Sequence, residues 1–248
     1  MKMKLQALLL SGLLLAPAAT RAADAVSKSE IEATIRAYLL EHPELLLDMS
    51  QALEKKQAEA RRVQAKTALT AHRDALLADA KTPSFGKAAS PVTIVEFFDY
   101  RCGYCKRVSP TVKKLMEEDP SIRVVFKELP ILGPESSVAA LAALAAHEQG
   151  GYLKFHQALM AASEFTPEVI SDLAKKSGLD TERLQKDMAK PELQAALAQN
   201  RTLSEALAIQ ATPAFVIGDE VVPGALSEEA FKGLIAKAKA QAQPMAAR

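Results

Sequence analysis

Between Val92 and Phe98 the chain reads Val-Thr-Ile-Val-Glu-Phe-Phe, a β-branched and aromatic run with one charge. Such continuity predicts a strand covered on both faces, as in sheets flanked by helices. Cys102 to Glu118 then reads as a helix closed by Asp119-Pro120, and Ile122 to Glu128 as a second strand. A buried strand that hands over to a helix and returns as another buried strand is a βαβ unit. That restricts the chain to an α/β layer architecture. The handover holds the only two cysteines in 248 residues, Cys102 and Cys105.

From Glu135 to about Ile209 the pattern is helical, punctuated by Gly150-Gly151, Thr166-Pro167, Gly178 and Pro191. Ala214–Ile217 and Glu220–Val222 are short strands around Gly218-Asp219, a hairpin turn. Leu226 to Gln241 is a closing helix, opened by Ser227 with Glu228 and Glu229 in its first turn. The order is βαβ, then ββα, with a helical insertion at about 134–209 between the halves.

Upstream, Met1-Lys2-Met3-Lys4, an apolar run from Leu5 to Ala16 and Thr20-Arg21-Ala22 predict a secretory leader over 1–22. The run is shorter than the ~20 residues of a spanning helix; the alternative is a retained anchor. Residues 23–82 form a helical extension. Ser29 is a candidate N-cap for a first helix carrying Ile31, Ile35 and Leu39; His42-Pro43 ends it, and Pro43 opens a second from Glu44 to Leu77. Leu46, Met49 and Leu53 follow a heptad, and the same register then meets Lys56, Ala60, Val63, Thr67, Thr70, Asp74 and Leu77. A continuous coiled coil needs apolar residues at nearly all of these. Two readings stand: a helix lying on its own domain, or an oligomerisation stalk with a solvated middle. Lys81 to Gly86 reads as a linker, and 83–248 as the α/β domain. A net charge of +1 without a long single-sign block argues against a dedicated nucleic-acid binder.

The cysteine spacing points to chemistry. A disulfide between Cys102 and Cys105 closes almost no loop, so it gains little as a staple. At a helix start a thiolate meets unpaired N–H groups and the positive end of the dipole, which makes Cys102 a candidate nucleophile. Cys105, one turn on, is placed to attack a mixed disulfide formed at Cys102. Tetrahedral zinc needs four ligands, and His42, His72, His147 and His156 show no metal-site spacing. A Cu(I) ion held by the two thiolates stays open as an alternative. Glu96, the one charge in its strand, is a candidate buried acid, with Lys127 on the next strand as candidate partner. The alternative places Glu96 at an exposed strand edge. Lys106 and Arg107 add positive charge near the pair or are simply solvated. Thr212-Pro213 opens the third strand, with the isomer of its bond left open by the residues alone.

Phe97-Phe98-Asp99-Tyr100 before Cys102-Gly103-Tyr104-Cys105, with Thr212-Pro213-Ala214-Phe215-Val216 late in the chain, resembles the DsbA-like thioredoxin-fold oxidoreductases of bacterial envelopes over about Pro91 to Ala240. The resemblance implies Cys102 as nucleophile, Cys105 as resolving thiol, Pro213 as a cis-proline beside Thr212 at the site, and Glu96 and Lys127 as buried acid and lysine partner. Gly103 and Tyr104, between the cysteines, join Thr212 and Pro213 as expected client-contacting residues. Ile31 to Glu44 resembles the extension of the ScsC and Com1-like members, some of which trimerise and act as disulfide isomerases. That implies a periplasmic enzyme without cofactor or metal, acting on cysteine-containing exported proteins. It further implies a membrane redox partner of the DsbD/ScsB or DsbB type and a homotrimer. Gly-Tyr stands where the best-known monomeric oxidases have Pro-His, which leaves oxidase, isomerase and reductase directions open. A peptide-binding chaperone and a Cu(I)-binding copper-tolerance protein remain alternatives from other classes.

Overall fold

A computed structural model describes residues 27–77 and 81–242; the expected leader lies outside them. The chain divides into two units at Glu54/Lys55. In the first unit, α1 (Lys28–Glu41) is capped by Ser27, not Ser29. Ser27 Oγ accepts from Glu30 N at 3.3 Å while the Glu30 carboxylate accepts from Ser27 N at 2.9 Å, a reciprocal capping box. Both serines carry an acid three residues on. Capping at Ser27 starts the helix earlier while Ser29 Oγ still bonds Ser27 Oγ at 3.0 Å. Every residue of α1 is exposed. The second helix, α2 (Leu45–Ala71), begins after Pro43-Glu44 with Leu46, Leu47, Met49 and Leu53 also exposed.

Within the second unit the end of α2 behaves differently. Ala65 and Leu69 are buried, as is Leu76 on α3 (Arg73–Leu77). Leu69 and Leu76 join a core cluster with Val95, Phe97, Val125, Leu203 and Leu207. They stand seven residues apart, off the heptad drawn through Thr67, Thr70 and Asp74. This part of the helical segment packs on the α/β domain.

The expected linker contains a short strand, β1 (Ser84–Phe85), antiparallel to β3 (Ile122–Glu128). Gly86 follows with φ +98°, and a Cβ there would sit 2.6 Å from the Ile122 carbonyl oxygen, so only glycine fits. At the sheet centre β2 (Val92–Phe98) runs parallel to β3 and antiparallel to β4 (Ala214–Ile217), which pairs with β5 (Glu220–Pro223); the order is β1-β3-β2-β4-β5. α4 (Gly103–Glu118) connects β2 to β3. The insertion is five helices: α5 (Pro134–Glu148), α6 (Tyr152–Ala161), α7 (Pro167–Ser177), α8 (Thr181–Met188) and α9 (Pro191–Ala206). α10 (Glu228–Ala242) closes the fold.

Side-chain alternation sorts β2 and β3 onto two layers. Ile94, Phe98, Val124 and Phe126 pack with α4, α5, α6 and α10. Val95, Phe97 and Val125 pack with α3 and α9. No described helix is long and apolar enough to cross a membrane.

This alternation corrects one expectation. Register pairs Glu96 with Phe126 and Phe97 with Lys127, so Lys127 lies on the face opposite Glu96 and the expected Glu96–Lys127 pair is not formed. Lys127 Nζ donates instead to the Ala75 carbonyl at 2.8 Å and to Thr82 Oγ1 at 2.9 Å. Arg123 Nη1 donates to the Leu77 carbonyl at 2.7 Å. The two cations of β3 thus satisfy backbone carbonyls of α3 that the helix itself leaves unpaired. Lys127→Met is expected to lower the unfolding free energy by about 1–3 kcal/mol, the cost of stranding buried polar partners, read as a fall in the urea midpoint at unchanged m-value.

Candidate active site

β2 delivers the chain to the two cysteines, and Asp99 organises the exit. The Asp99 carboxylate is buried and accepts four hydrogen bonds: Arg101 N (2.7 Å), Ser136 Oγ (2.8 Å), Ile131 N (2.8 Å) and Leu132 N (3.0 Å). Its backbone oxygen accepts from Cys102 N at 3.0 Å. One residue thereby ties the cysteine turn to the loop between β3 and α5. Arg101 adds a second strap, donating to the Leu132 carbonyl at 2.7 Å and pairing with Glu135 at 3.1 Å.

Cys102 is the N-cap of α4, and Cys105 lies in the first turn. Both are free thiols. Cys102 retains 7% exposure and Cys105 none, so an incoming sulfur can reach only the first. Burial is the main force pushing the Cys105 thiol upward; hydrogen bonding from the Asp99 backbone opposes it, and the neighbouring Cys102 and the charge of Glu96 reinforce it. Cys102 Sγ donates to the Thr212 carbonyl at 3.2 Å, and the Thr212–Pro213 bond is cis. The structure therefore brings together Cys102, Cys105 and Thr212-Pro213 from opposite ends of the domain.

Of the residues between the cysteines, Gly103 is exposed, with Arg107 Nη1 4.0 Å from where a Cβ would stand, and Tyr104 is 60% exposed, its ring beneath the Arg107 guanidinium at 4.1 Å. Lys106 bonds the Ala162 carbonyl and stands 5.4 Å from the centre of the Phe165 ring. Ile131 and Leu132, on the loop held by Asp99, are also exposed apolar residues.

Glu96 is fully buried rather than at an exposed edge, and burial raises its carboxyl to about 8. Its neighbours are not the expected lysine but a buried polar cluster that the sequence reading did not single out. Glu128 Oε1 accepts from Tyr152 Oη at 2.7 Å and Tyr100 Oη at 3.1 Å, and Tyr100 Oη lies 2.9 Å from His156 Nδ1. Burial lowers His156 to about 3, so its ring is neutral. The available signal was an acid ending an apolar strand two residues after Phe126, but without register it has no assigned face. Among the described residues no group of three or more His, Cys, Asp or Glu could hold a metal ion.

The comparisons agree with this geometry. The family profile described as Thioredoxin matches residues 78–237. The chain belongs to the thioredoxin family. The profile of the copper resistance protein ScsC N-terminal domain matches residues 28–60. A thioredoxin-like oxidoreductase of Silicibacter pomeroyi is 43% identical, with 68% of this chain and 98% of that one covered and a TM-score of 0.65. ScsC of Proteus mirabilis (a linker-deleted mutant) is 31% identical over 91% of this chain and 100% of that one, TM-score 0.68. The thiol-disulfide exchange protein alpha-DsbA2 of Wolbachia pipientis is 30% identical over 72% and 97%, TM-score 0.67. The chain spans about a quarter of the length of the curated Na(+)/H(+) antiporter NhaA 3 of Salinispora tropica, 30% identical over 161 residues. The thioredoxin-like fold and the relation to ScsC and DsbA-type exchange proteins are thus established for this member.

Two outcomes are expected. Iodoacetamide should label Cys102 in the folded reduced protein and leave Cys105 unmodified until denaturant is added, as read by peptide mass spectrometry. Glu96 binds its proton more tightly folded than unfolded, so its contribution to stability is full below about pH 4.5 and is lost as pH rises towards about 8. Glu96→Gln should therefore stabilise the protein relative to wild type by on the order of 3 kcal/mol near pH 7, and by little near pH 4, as measured by denaturant unfolding.

Proposed function

We propose that the chain is a periplasmic thiol-disulfide oxidoreductase that exchanges disulfides with cysteine-containing exported proteins and serves as a disulfide isomerase. The observation that carries this is an edge-accessible thiol at a helix N-terminus against cis-Pro213, with an enclosed thiol one turn behind it. The Cys102 thiolate attacks a client disulfide, forming a Cys102–client bond and releasing the other client sulfur as a thiolate. A client thiol can then attack that bond and leave with a rearranged disulfide, which is isomerisation. Alternatively Cys105 gives its proton to ionised Glu96, attacks Cys102 Sγ and expels the client thiolate, so the client leaves reduced and the enzyme oxidised. In the opposite direction a client thiolate opens the Cys102–Cys105 disulfide, and protonated Glu96 returns a proton to the Cys105 thiolate. Gly103, Tyr104, Thr212 and Pro213 form the client-facing rim.

Isomerisation is favoured over a monomeric oxidase by the exposed apolar residues of α1 and early α2, among them Ile31, Ile35, Leu39, Leu46 and Met49. Uncovered apolar surface of this kind suits self-association into a homotrimer, which would hold several cysteine pairs around one misfolded client. Residues 1–22 serve as the leader, 27 to about 64 as the stalk and the remainder as the exchange domain. A membrane protein of the DsbD/ScsB type keeps the pair reduced.

Replacing Ile31, Ile35 and Leu39 together by lysine is expected to yield a monomer by sedimentation. That variant should still oxidise dithiols and lose reactivation of scrambled ribonuclease, whereas Cys102→Ala should lose both activities. A second reading draws on the copper-resistance description of the N-terminal profile: the two thiolates hold Cu(I). Tight anaerobic Cu(I) binding without ribonuclease reactivation would favour it.

A further inference from the structure

Glu96 and Glu128 share one face of the sheet. Parallel register places Glu96 beside Phe126 and Phe98 beside Glu128, so the glutamates occupy one diagonal of a four-residue square and Phe98 and Phe126 the other. Diagonal neighbours in a sheet lie about 7–8 Å apart at Cα, within reach of long side chains. Each carboxyl has one buried oxygen without a hydrogen-bond partner, Glu96 Oε1 and Glu128 Oε2. Two buried carboxylates on one face cannot both be ionised without compensation. Burial raises both carboxyls, and the groups that pull Glu128 back down are two phenols rather than a cation.

The proton must therefore be shared out, and the hydrogen bonds indicate where it sits. Glu128 Oε1 already accepts two phenol hydrogens, so a proton on Glu128 belongs on Oε2, the atom left unpartnered. Tyr100 has one hydroxyl hydrogen, given to Glu128, so His156 supplies an Nδ1 hydrogen to Tyr100 Oη. His156 also lines a small cavity (≈ 10 Å³, room for about one water) with Glu96, Ser109, Lys113 and Gln157. The groups facing the two carboxyls are Asp99 and Tyr100 after β2, Cys105 and Lys113 on α4, and Tyr152 and His156 on α6.

We propose that Glu128 is a positioning residue for Glu96: it stays a neutral carboxylic acid and donates its Oε2 hydrogen towards Glu96 when Glu96 ionises, so that the pair exchanges a single proton with Cys105. This rests on the exchange function proposed above. Burial first, then the charges of Asp99 and Glu96, hold Glu128 well above the ordinary carboxyl range against the pull of its two phenols. Glu96, at about 8, is the member that titrates. An ionised Glu128 would instead repel the charge Glu96 must take when it accepts the Cys105 proton.

Infrared difference spectra of the carboxylic acid stretch test the assignment directly. The reduced wild-type protein at neutral pH should show two buried protonated carboxyls, one lost on raising the pH through about 8 and one persisting above that point. Glu96→Gln should remove the titrating band and Glu128→Gln the persistent one, in a protein whose tyrosines keep an acceptor. Resolution of a glutathione mixed disulfide at Cys102, followed against pH, gives the functional arm. Glu128→Gln, which keeps a donor, should leave the midpoint in place. Glu128→Leu should raise it by a unit or more, slowing resolution about tenfold at pH 7, and should add nothing to the pH dependence in a Glu96→Gln background. A persistent band that survives Glu128→Gln, or a Glu128→Leu shift of equal size without Glu96, overturns the proposal. If wild-type protein exchanges no disulfides, the functional reading fails, while the infrared arm still reports on the carboxyl pair.

Discussion

Burial of β2 on both faces governs most of this molecule. The strand has helices and loops against either side, so each of its residues is committed by parity to one of two layers. The single charge on it, Glu96, is placed where water cannot solvate a carboxylate and is raised accordingly. The same strand carries the chain to Cys102 at the start of α4, with Cys105 sealed under the first turn. The asymmetry between the two thiols follows from this: one sulfur lies at the end of a buried strand, the other inside the layer that the strand supports.

Asp99 turns that handover into a site. A buried carboxylate is costly in isolation, and this one is satisfied by three backbone amides and one hydroxyl. Its bonds reach both the cysteine turn and the loop bearing Ile131 and Leu132. The client-facing rim is therefore assembled from segments far apart in sequence, with Thr212 and Pro213 meeting Cys102 across the β2–β4 ladder. The N-terminal segment shows a similar division of labour. Its exposed apolar residues run through α1 and along α2 as far as Val63, whereas Leu69 and Leu76 are spent on the domain core, held by Arg123 and Lys127 at the end of α3.

Much of the architecture was legible because periodicity and breakers are local. The βαβ–ββα order, the helical insertion and the strand limits at Val92–Phe98 and Ile122–Glu128 follow from apolar runs, prolines and glycines, and the structure reproduces them. The reading of Glu96 as a buried group was also local, since one charge in an apolar strand has few other places to go. Its proposed partner was not. Lys127 stands one residue from Glu128, and a shift of one residue in a strand moves a side chain to the opposite face. Without the β2–β3 register nothing in Val124 to Glu128 says which of the two residues meets Glu96. Leu69 and Leu76 were missed for a related reason: the heptad chosen from Leu46 onward ran along a neighbouring face of the helix.

The sequence alone determined that two thiols sit at a strand-to-helix junction, that the chain has α/β order, and that Glu96 is an isolated charge in an apolar strand. These are properties of short windows, where side-chain type and spacing constrain the backbone directly. Only the tertiary structure decided that Cys105 is closed off while Cys102 keeps an edge, that Thr212–Pro213 is cis and meets Cys102, and that Glu96 faces Glu128, Tyr100 and His156 rather than Lys127. Those facts depend on strand register and on packing between segments up to 110 residues apart. No local pattern encodes either one, because both are set by which buried surfaces fit together.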